Sequence, residues 1–269
     1  MLSSNAGLHI NATKLKMKFL FIILLLLLAA APDTNAAQLN KHRASLTRTQ
    51  TKQAEQRLAE MGYWTGAVDG VFDAASRSAL IAFQKWEGRS ITGKLTRAEI
   101  EAIRATADAQ DTWPRARENG YPHVEVDLDR QVLLTVDEEG GVRVLPVSTG
   151  NGKPFIDQGE KSLAYTPRGR FIVYDKITGW EKGALGSMYY SNYISGGVAI
   201  HGHPNVPFYP ASHGCIRIPM FAAREVSKLT PIGTIVLVYD KVSFVSAKDW
   251  VEKPELKEAF LLWSKVVEN

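Results

Sequence analysis

The sequence predicts a mainly β domain, a sandwich or barrel-like sheet pair, preceded by a small all-α unit. Two changes of pattern along the 269 residues carry this reading. From about Thr51 to Thr106, apolar residues recur at helical spacing between glycine-bearing turns. From Tyr121 onward they alternate with period two, and only one clear helix interrupts them.

The first segment reads as an address. Lys14, Lys16 and Lys18 lead into an apolar run from Phe19 to Ala31, and Ala36-Ala37 offers a cleavage site. This is the layout of a secretory signal peptide over residues 1–36, with Met17 as an alternative start. The run is short for a membrane span, though an uncleaved anchor is the competing reading. No cysteine follows it, which excludes a lipoprotein anchor of this chain. Removing residues 1–36 lowers the formal net charge from +4 to about +2, a value that does not point to nucleic acid.

Residues 38–50 are polar and basic and read as a tether. In the helical unit, residues 51–106, a first helix carries Leu58 and Met61 and stops at Gly62. Asp73 is an N-cap candidate for a second helix with Leu80, Phe83 and Trp86 along it. Thr96 and Glu99 form a capping-box pair before Ile100 and Ile103. This unit is expected to have a core of its own. Residues 107–121 read as a linker, 122–240 as the β domain and 241–269 as a helical tail with Leu256, Phe260, Trp263 and Val267 on one stripe. Within the β domain, His123–Leu128 and Gln131–Val136 flank a turn and predict a hairpin. Val142–Ser148, Arg170–Tyr174, Gly197–His201 and Thr234–Tyr239 are further strands, and Pro219 opens a helix to Leu229.

The chemistry concentrates in one stretch. His201-Gly202-His203 is followed by a Pro-rich loop and then Ser212-His213-Gly214-Cys215-Ile216-Arg217. Cys215 is the only cysteine, so an intramolecular disulfide is excluded. Neighbouring imidazole and guanidinium groups, and the positive end of the helix beyond them, would favour its thiolate. Val198-Ala199-Ile200 is strand-like and would end at His201, placing an imidazole at the sheet rim. Gly214 permits close backbone approach, and the N–H groups at Gly214 and Cys215 could receive an oxyanion. Two alternatives stay open on residue type alone. His201, His203, His213 and Cys215 have the ligand types of a zinc site, and all four could be structural. Trp180, Tyr189, Tyr190 and Tyr193 read as core packing or as a wall for an acyl donor, with Tyr190 taken as the substrate-side residue.

The ordered run Leu58…Gly62-Tyr63…Gly66…Asp69-Gly70…Phe72-Asp73…Ala79…Phe83-Gln84…Thr92-Gly93…Leu95-Thr96 resembles the three-helix peptidoglycan-binding domain of bacterial wall enzymes. His201-Gly202 followed by Ser-His-Gly-Cys-x-Arg at Ser212 to Arg217 resembles the L,D-transpeptidase catalytic motif. Pro146 to Gly150 and Thr166 to Gly169 resemble that family's Ser-Thr-Gly and Thr-Pro-x-Gly segments.

The resemblance implies a mainly β, L,D-transpeptidase-like catalytic domain that needs no metal or other cofactor. It implies Cys215 as nucleophile and His201 as base, with Ser212, His213, Gly214 and Arg217 binding substrate. The implied partners are peptidoglycan stem peptides and glycan, with carbapenems as inhibitors. The implied setting is the periplasmic cell wall, where cross-linking sets cell shape. The expected product is a 3→3 cross-link. Water as acceptor would give an L,D-carboxypeptidase, and a lipoprotein lysine would give a wall anchor. A wall-binding protein without catalysis is the rival from another class. His203 departs from the family pattern.

Overall fold

In a computed structural model, the structure describes residues 45–157, 159–183 and 185–241. The signal peptide expected over 1–36 lies outside the described residues, as does the tail expected to be helical over 241–269, apart from Lys241. All the described helices and strands belong to one compact unit that begins at Leu46.

Three helices come first: α1 (Arg48–Glu60), α2 (Ala74–Trp86) and α3 (Arg97–Asp108). Each has a side-chain N-cap, which supplies acceptors to otherwise orphaned N–H groups. Thr47 and Gln50 form a reciprocal capping box on α1. Asp73 Oδ1 accepts from the Ala75 and Ser76 N–H groups at 2.8 and 2.9 Å. On α3 only half of the expected box forms: Thr96 caps the Glu99 N–H, but the Glu99 carboxylate pairs with Arg89 at 3.3 Å. The buried Glu55 carboxylate accepts from the Gly70 N–H and from Ser76 Oγ, which fastens the turn between α1 and α2.

Eleven strands come next among the described residues. A five-stranded sheet has the order β3 (Val142–Pro146), β2 (Val132–Val136), β1 (His123–Asp127), β11 (Ile235–Tyr239), β6 (Gly169–Ile172). A four-stranded sheet has the order β10 (Ile216–Pro219), β9 (Val198–His203), β8 (Gly186–Ser195), β7 (Asp175–Gly183). The strands β4 (Pro154–Asp157) and β5 (Glu160–Leu163) form a separate hairpin. The pairs β1–β11 and β9–β10 are parallel, and the other pairs are antiparallel. Val124, Val126, Leu133 and Leu145 from the first sheet, with Val147 just beyond β3, meet Ile194, Ile200, Ile216 and Ile218 from the second, which makes a sandwich. A fourth helix, α4 (Met220–Leu229), adds Ala222, Ala223 and Val226 to this core.

Both faces of β2 are buried, and its period-two alternation serves two cores at once. Leu133 faces the sandwich, while Val132, Leu134 and Val136 pack with Leu58, Leu80, Phe83 and Ile103 of the helices. The expectation of a separate helical core is therefore corrected: the helices and the outer face of β2 and β3 share one core. The backbone joins them too. The Val144 N–H donates to the Gly62 carbonyl at 2.8 Å, and the Trp64 N–H to the Val144 carbonyl at 3.2 Å. The segment read as a linker is held as well, since the buried Glu125 carboxylate accepts the Arg117 and Glu118 N–H groups.

Candidate active site

Parallel pairing of β9 with β10 sets His201 beside Arg217 and Ile200 beside Ile216. Side chains alternate between the faces of a strand, so Arg217 and His201 lie on one side and Ile216 and Ile200 on the other, in the sandwich core. Cys215 stands just before β10. His201, His203, Ser212, His213, Gly214, Cys215 and Arg217 all line one cavity of about 480 Å³. The β4–β5 hairpin flanks it with Phe155 and Leu163, and the β7–β8 hairpin flanks it with Leu185 and Met188.

The loop before β10 is shaped by small groups. Ser212 is buried; its Oγ donates to the Cys215 carbonyl at 2.6 Å and accepts from the Gly214 N–H at 3.0 Å. Gly214 has φ +145°, and a Cβ there would stand 2.9 Å from the Tyr165 carbonyl oxygen. Thr166 Oγ1 donates to the Gly214 carbonyl at 2.6 Å and accepts from the Gly150 N–H at 2.8 Å. The Thr-Pro-x-Gly and Ser-Thr-Gly segments thus meet at one hydroxyl behind the loop. Thr166 had no assigned role from sequence; its place in a recurrent segment was the available signal.

Cys215 Sγ is partly exposed and donates to the Gly197 carbonyl at 3.6 Å. Burial pushes its pKa up; a hydrogen bond with the Ala199 backbone and the Arg217 charge pull it down, and Glu181 raises it further. The net direction is up: the expected pull of the Arg217 guanidinium toward thiolate is present, but burial outweighs it. The expected helix contribution also fails, because β10 intervenes between Cys215 and α4. His201 is buried, with Nδ1 at 3.0 Å from the Gly202 carbonyl. Burial lowers its pKa to about 4, with His203 and Arg217 adding to the depression. The Nδ1 contact selects the tautomer with the proton on Nδ1 and leaves the Nε2 lone pair free. Both shifts favour a thiol beside a neutral imidazole over an ion pair in the resting site.

Arg217 is half-buried, and its guanidinium has no hydrogen bond or ion pair among the described residues. Burial depresses its pKa and the Cys215 thiol raises it. His213 is exposed and its ring lies against Phe155, 4.7 Å between centroids. His203 Nδ1 meets the Asn205 backbone instead. Among the described residues no three His, Cys, Asp or Glu side chains converge in a way that could hold a metal. The His-x-His…His-x-Cys spacing is thus not folded into a four-ligand site.

Two expectations from the sequence change. Tyr190 does not line the cavity. It sits at a bulge between β8 and β9 with φ +51°, and it packs against the sandwich core and edge-on to Tyr189. Tyr193, beyond the bulge, supplies the wall, with its hydroxyl 3.1 Å from Glu181. The Gly214 N–H is engaged by Ser212, so it is not open to substrate as the loop stands.

A family model described as an L,D-transpeptidase catalytic domain matches residues 121–238. A second, described as a putative peptidoglycan binding domain, matches residues 47–103. Among solved structures, the L,D-transpeptidase from Xylanimonas cellulosilytica is 37% identical over 71% of this chain and 93% of that chain, with a TM-score of 0.64. An L,D-transpeptidase from Stackebrandtia nassauensis is 21% identical over 70% and 90%, with a TM-score of 0.41. No curated protein matches the chain significantly.

Proposed function

Because this chain belongs to the L,D-transpeptidase family and is an enzyme of that kind, we propose that Cys215 is its acyl carrier and that it forms 3→3 cross-links in peptidoglycan. The observation that carries this reading is the convergence of Cys215, His201 and Arg217 on one cavity wall.

The reaction divides into two acyl transfers. Cys215 Sγ attacks the carbonyl carbon at the L-centre of the third residue of a tetrapeptide stem. The thiol proton passes to His201 Nε2 as the S–C bond forms. With the thiol pKa raised and the imidazole pKa lowered, proton loss accompanies attack, and free thiolate does not accumulate. The Cys215 N–H faces the developing oxyanion, since the Gly214 N–H is held by Ser212. The imidazolium returns the proton to the departing D-Ala nitrogen as the C–N bond breaks, which leaves a thioester. An amine of a second stem then attacks the thioester. Its proton goes to His201, the C–S bond breaks, and Cys215 leaves as a thiol with the proton returned from His201.

Arg217, unpaired in the cavity, suits a stem carboxylate, and a guanidinium binds one with two parallel hydrogen bonds. Phe155, Leu163 and Tyr193 exclude water around the donor. Ser212 acts by shaping the loop, and His213 offers an exposed imidazole on the acceptor side. A signal peptide at residues 1–36 would deliver the enzyme to the periplasm, where residues 47–103 would hold it on the wall.

Intact-protein mass after mixing with a carbapenem tests the chemistry. One adduct on the wild type and none on C215A is the expected result; an adduct on C215A would remove the assignment. Muropeptide analysis of cells with and without the protein tests the acceptor: loss of 3→3 dimers supports transpeptidation. Loss of tripeptide stems alone would assign a carboxypeptidase, and loss of lipoprotein-linked stems a wall anchor.

A further inference from the structure

Lys85 is the most unusual buried group outside the cavity. It lies on α2, in the helical unit, and is 5% exposed. Its ammonium reaches across the shared core and donates to the Gln131 carbonyl at 3.0 Å and the Val147 carbonyl at 2.9 Å. Among the described residues no carboxylate pairs with it. A buried ammonium without a counter-ion is costly, and a methionine would fill the same space without that cost. Burial lowers the pKa of Lys85 to about 7, in keeping with that cost.

The backbone that Lys85 holds leads directly to the cavity. Gln131 has φ +55°, and its side chain clasps Thr149: Nε2 donates to Thr149 Oγ1 at 2.7 Å, and Oε1 accepts the Thr149 N–H at 3.1 Å. The segment 147–151 then carries the motif strand and loop on its backbone. Ser148 and Arg217 exchange N–H···O bonds of 3.1 and 3.0 Å. The Thr149 carbonyl accepts from the Ala211 and Ser212 N–H groups, both at 2.9 Å, and the Asn151 N–H donates to the Ser212 carbonyl at 3.1 Å. Ser148 Oγ donates to the Tyr209 carbonyl at 2.8 Å. The same helix reaches the Pro-rich loop a second time: the Arg77 guanidinium lies 5.9 Å from the Phe208 ring centroid.

We propose that Lys85 is a positioning residue for the transpeptidase reaction, and that α2 braces the Cys215 loop from below through Lys85 and from the side through Arg77. The helical unit is then part of the catalytic apparatus as well as a wall-binding module. This rests on Cys215 being the acylated residue.

The test uses the full chain. Saturating carbapenem acylation of wild type, K85M and R77A is followed by intact mass, well below each melting temperature. C215A serves as the control that tests the reading of Cys215 itself, independently of the brace. Displacing a nucleophile by about 1 Å slows a positioned reaction by up to roughly 10²-fold. K85M is therefore expected to lower the limiting acylation rate at least about tenfold while the half-saturating carbapenem concentration changes little. R77A loses a surface cation–π contact and is expected to slow acylation roughly 2- to 5-fold. A purely structural lysine would lower the melting temperature and leave the limiting rate of the folded protein unmoved. Folded K85M acylating at the wild-type rate overturns the proposal. If K85M does not fold, R77A decides it, and a wild-type rate there overturns the brace.

Discussion

Lowering the pH is expected to unfold this protein partly through one residue, His201. Its folded pKa is about 4, while the unfolded chain binds the same proton near 6.5. Between those values the unfolded state carries more protons, so stability rises with pH across that window and is lost as pH falls through it. Each pH unit in the window is worth about 1.4 kcal/mol, and integration from neutral pH to pH 4.5 gives roughly 2.5 kcal/mol. Acid acts on the rest of the protein as well, so the quantity to measure is a difference. Urea unfolding of wild type and H201Q at pH 7.0 and 4.5 isolates it: the wild type should lose about 2.5 kcal/mol more than the variant. The same property shows in kinetics, because a base that titrates near 4 stays neutral at pH 5. Carbapenem acylation of Cys215 is thus expected to hold its rate down to about pH 5. Equal pH slopes for the two proteins, or an acylation profile falling with a midpoint near 6.5, would refute both the burial argument and the neutral resting pair.

Gly202→Ala is expected to fold poorly, because the new Cβ would stand 2.6 Å from Ala223 Cβ on α4 and 3.3 Å from Met220 Sδ. Overpacking of this kind typically costs about 1–3 kcal/mol, so a melting temperature equal to wild type would show that α4 yields more easily than its packing suggests. Deleting residues 45–108 is expected to leave an aggregating protein that acylates slowly, since Val132, Leu134, Val136 and Val144 lose their cover. At about 1.5–3 kcal/mol each, their exposure rivals the whole stability of a domain. A soluble truncated protein with wild-type carbapenem acylation would restore the view of the helices as an independent tether.

The sequence was most legible where local chemistry decides structure. Asp73 and Thr96 cap their helices as their residue types suggest, and the turn at Asp129-Arg130 divides β1 from β2. The motif from Ser212 to Arg217 announced the site because its residue types are rare together. Legibility failed where a distant partner decides. Glu99 leaves its cap for Arg89, which no local pattern marks. The β7–β8 hairpin is half-exposed and interrupted by glycines, so its alternation is too weak to read. Tyr190 follows the period of an aromatic strand, yet a bulge turns it toward the core and hands the cavity to Tyr193. The thiol's raised pKa depends on desolvation, which neighbours in sequence cannot reveal. Lys85 reads as a surface lysine on a helix until the sheet it reaches is known.

The pairing of β1 with β11 has a consequence for timing. The strand that opens the β domain lies in mid-sheet, and one of its neighbours is the last described strand of the chain. The Glu125 carboxylate accepts from a tyrosine hydroxyl 114 positions further on, and the Lys241 N–H closes back on Asp129 across 112. Closing loops of that length is entropically expensive and slow, so the sheet cannot complete itself early in synthesis. A growing chain that lacks residues 235–239 has no partner for one edge of β1. Its native sheet is reachable only once β11 has been made. For an enzyme with the export signal proposed at residues 1–36, this delay would keep the chain slack enough to be threaded and defer closure to the far side.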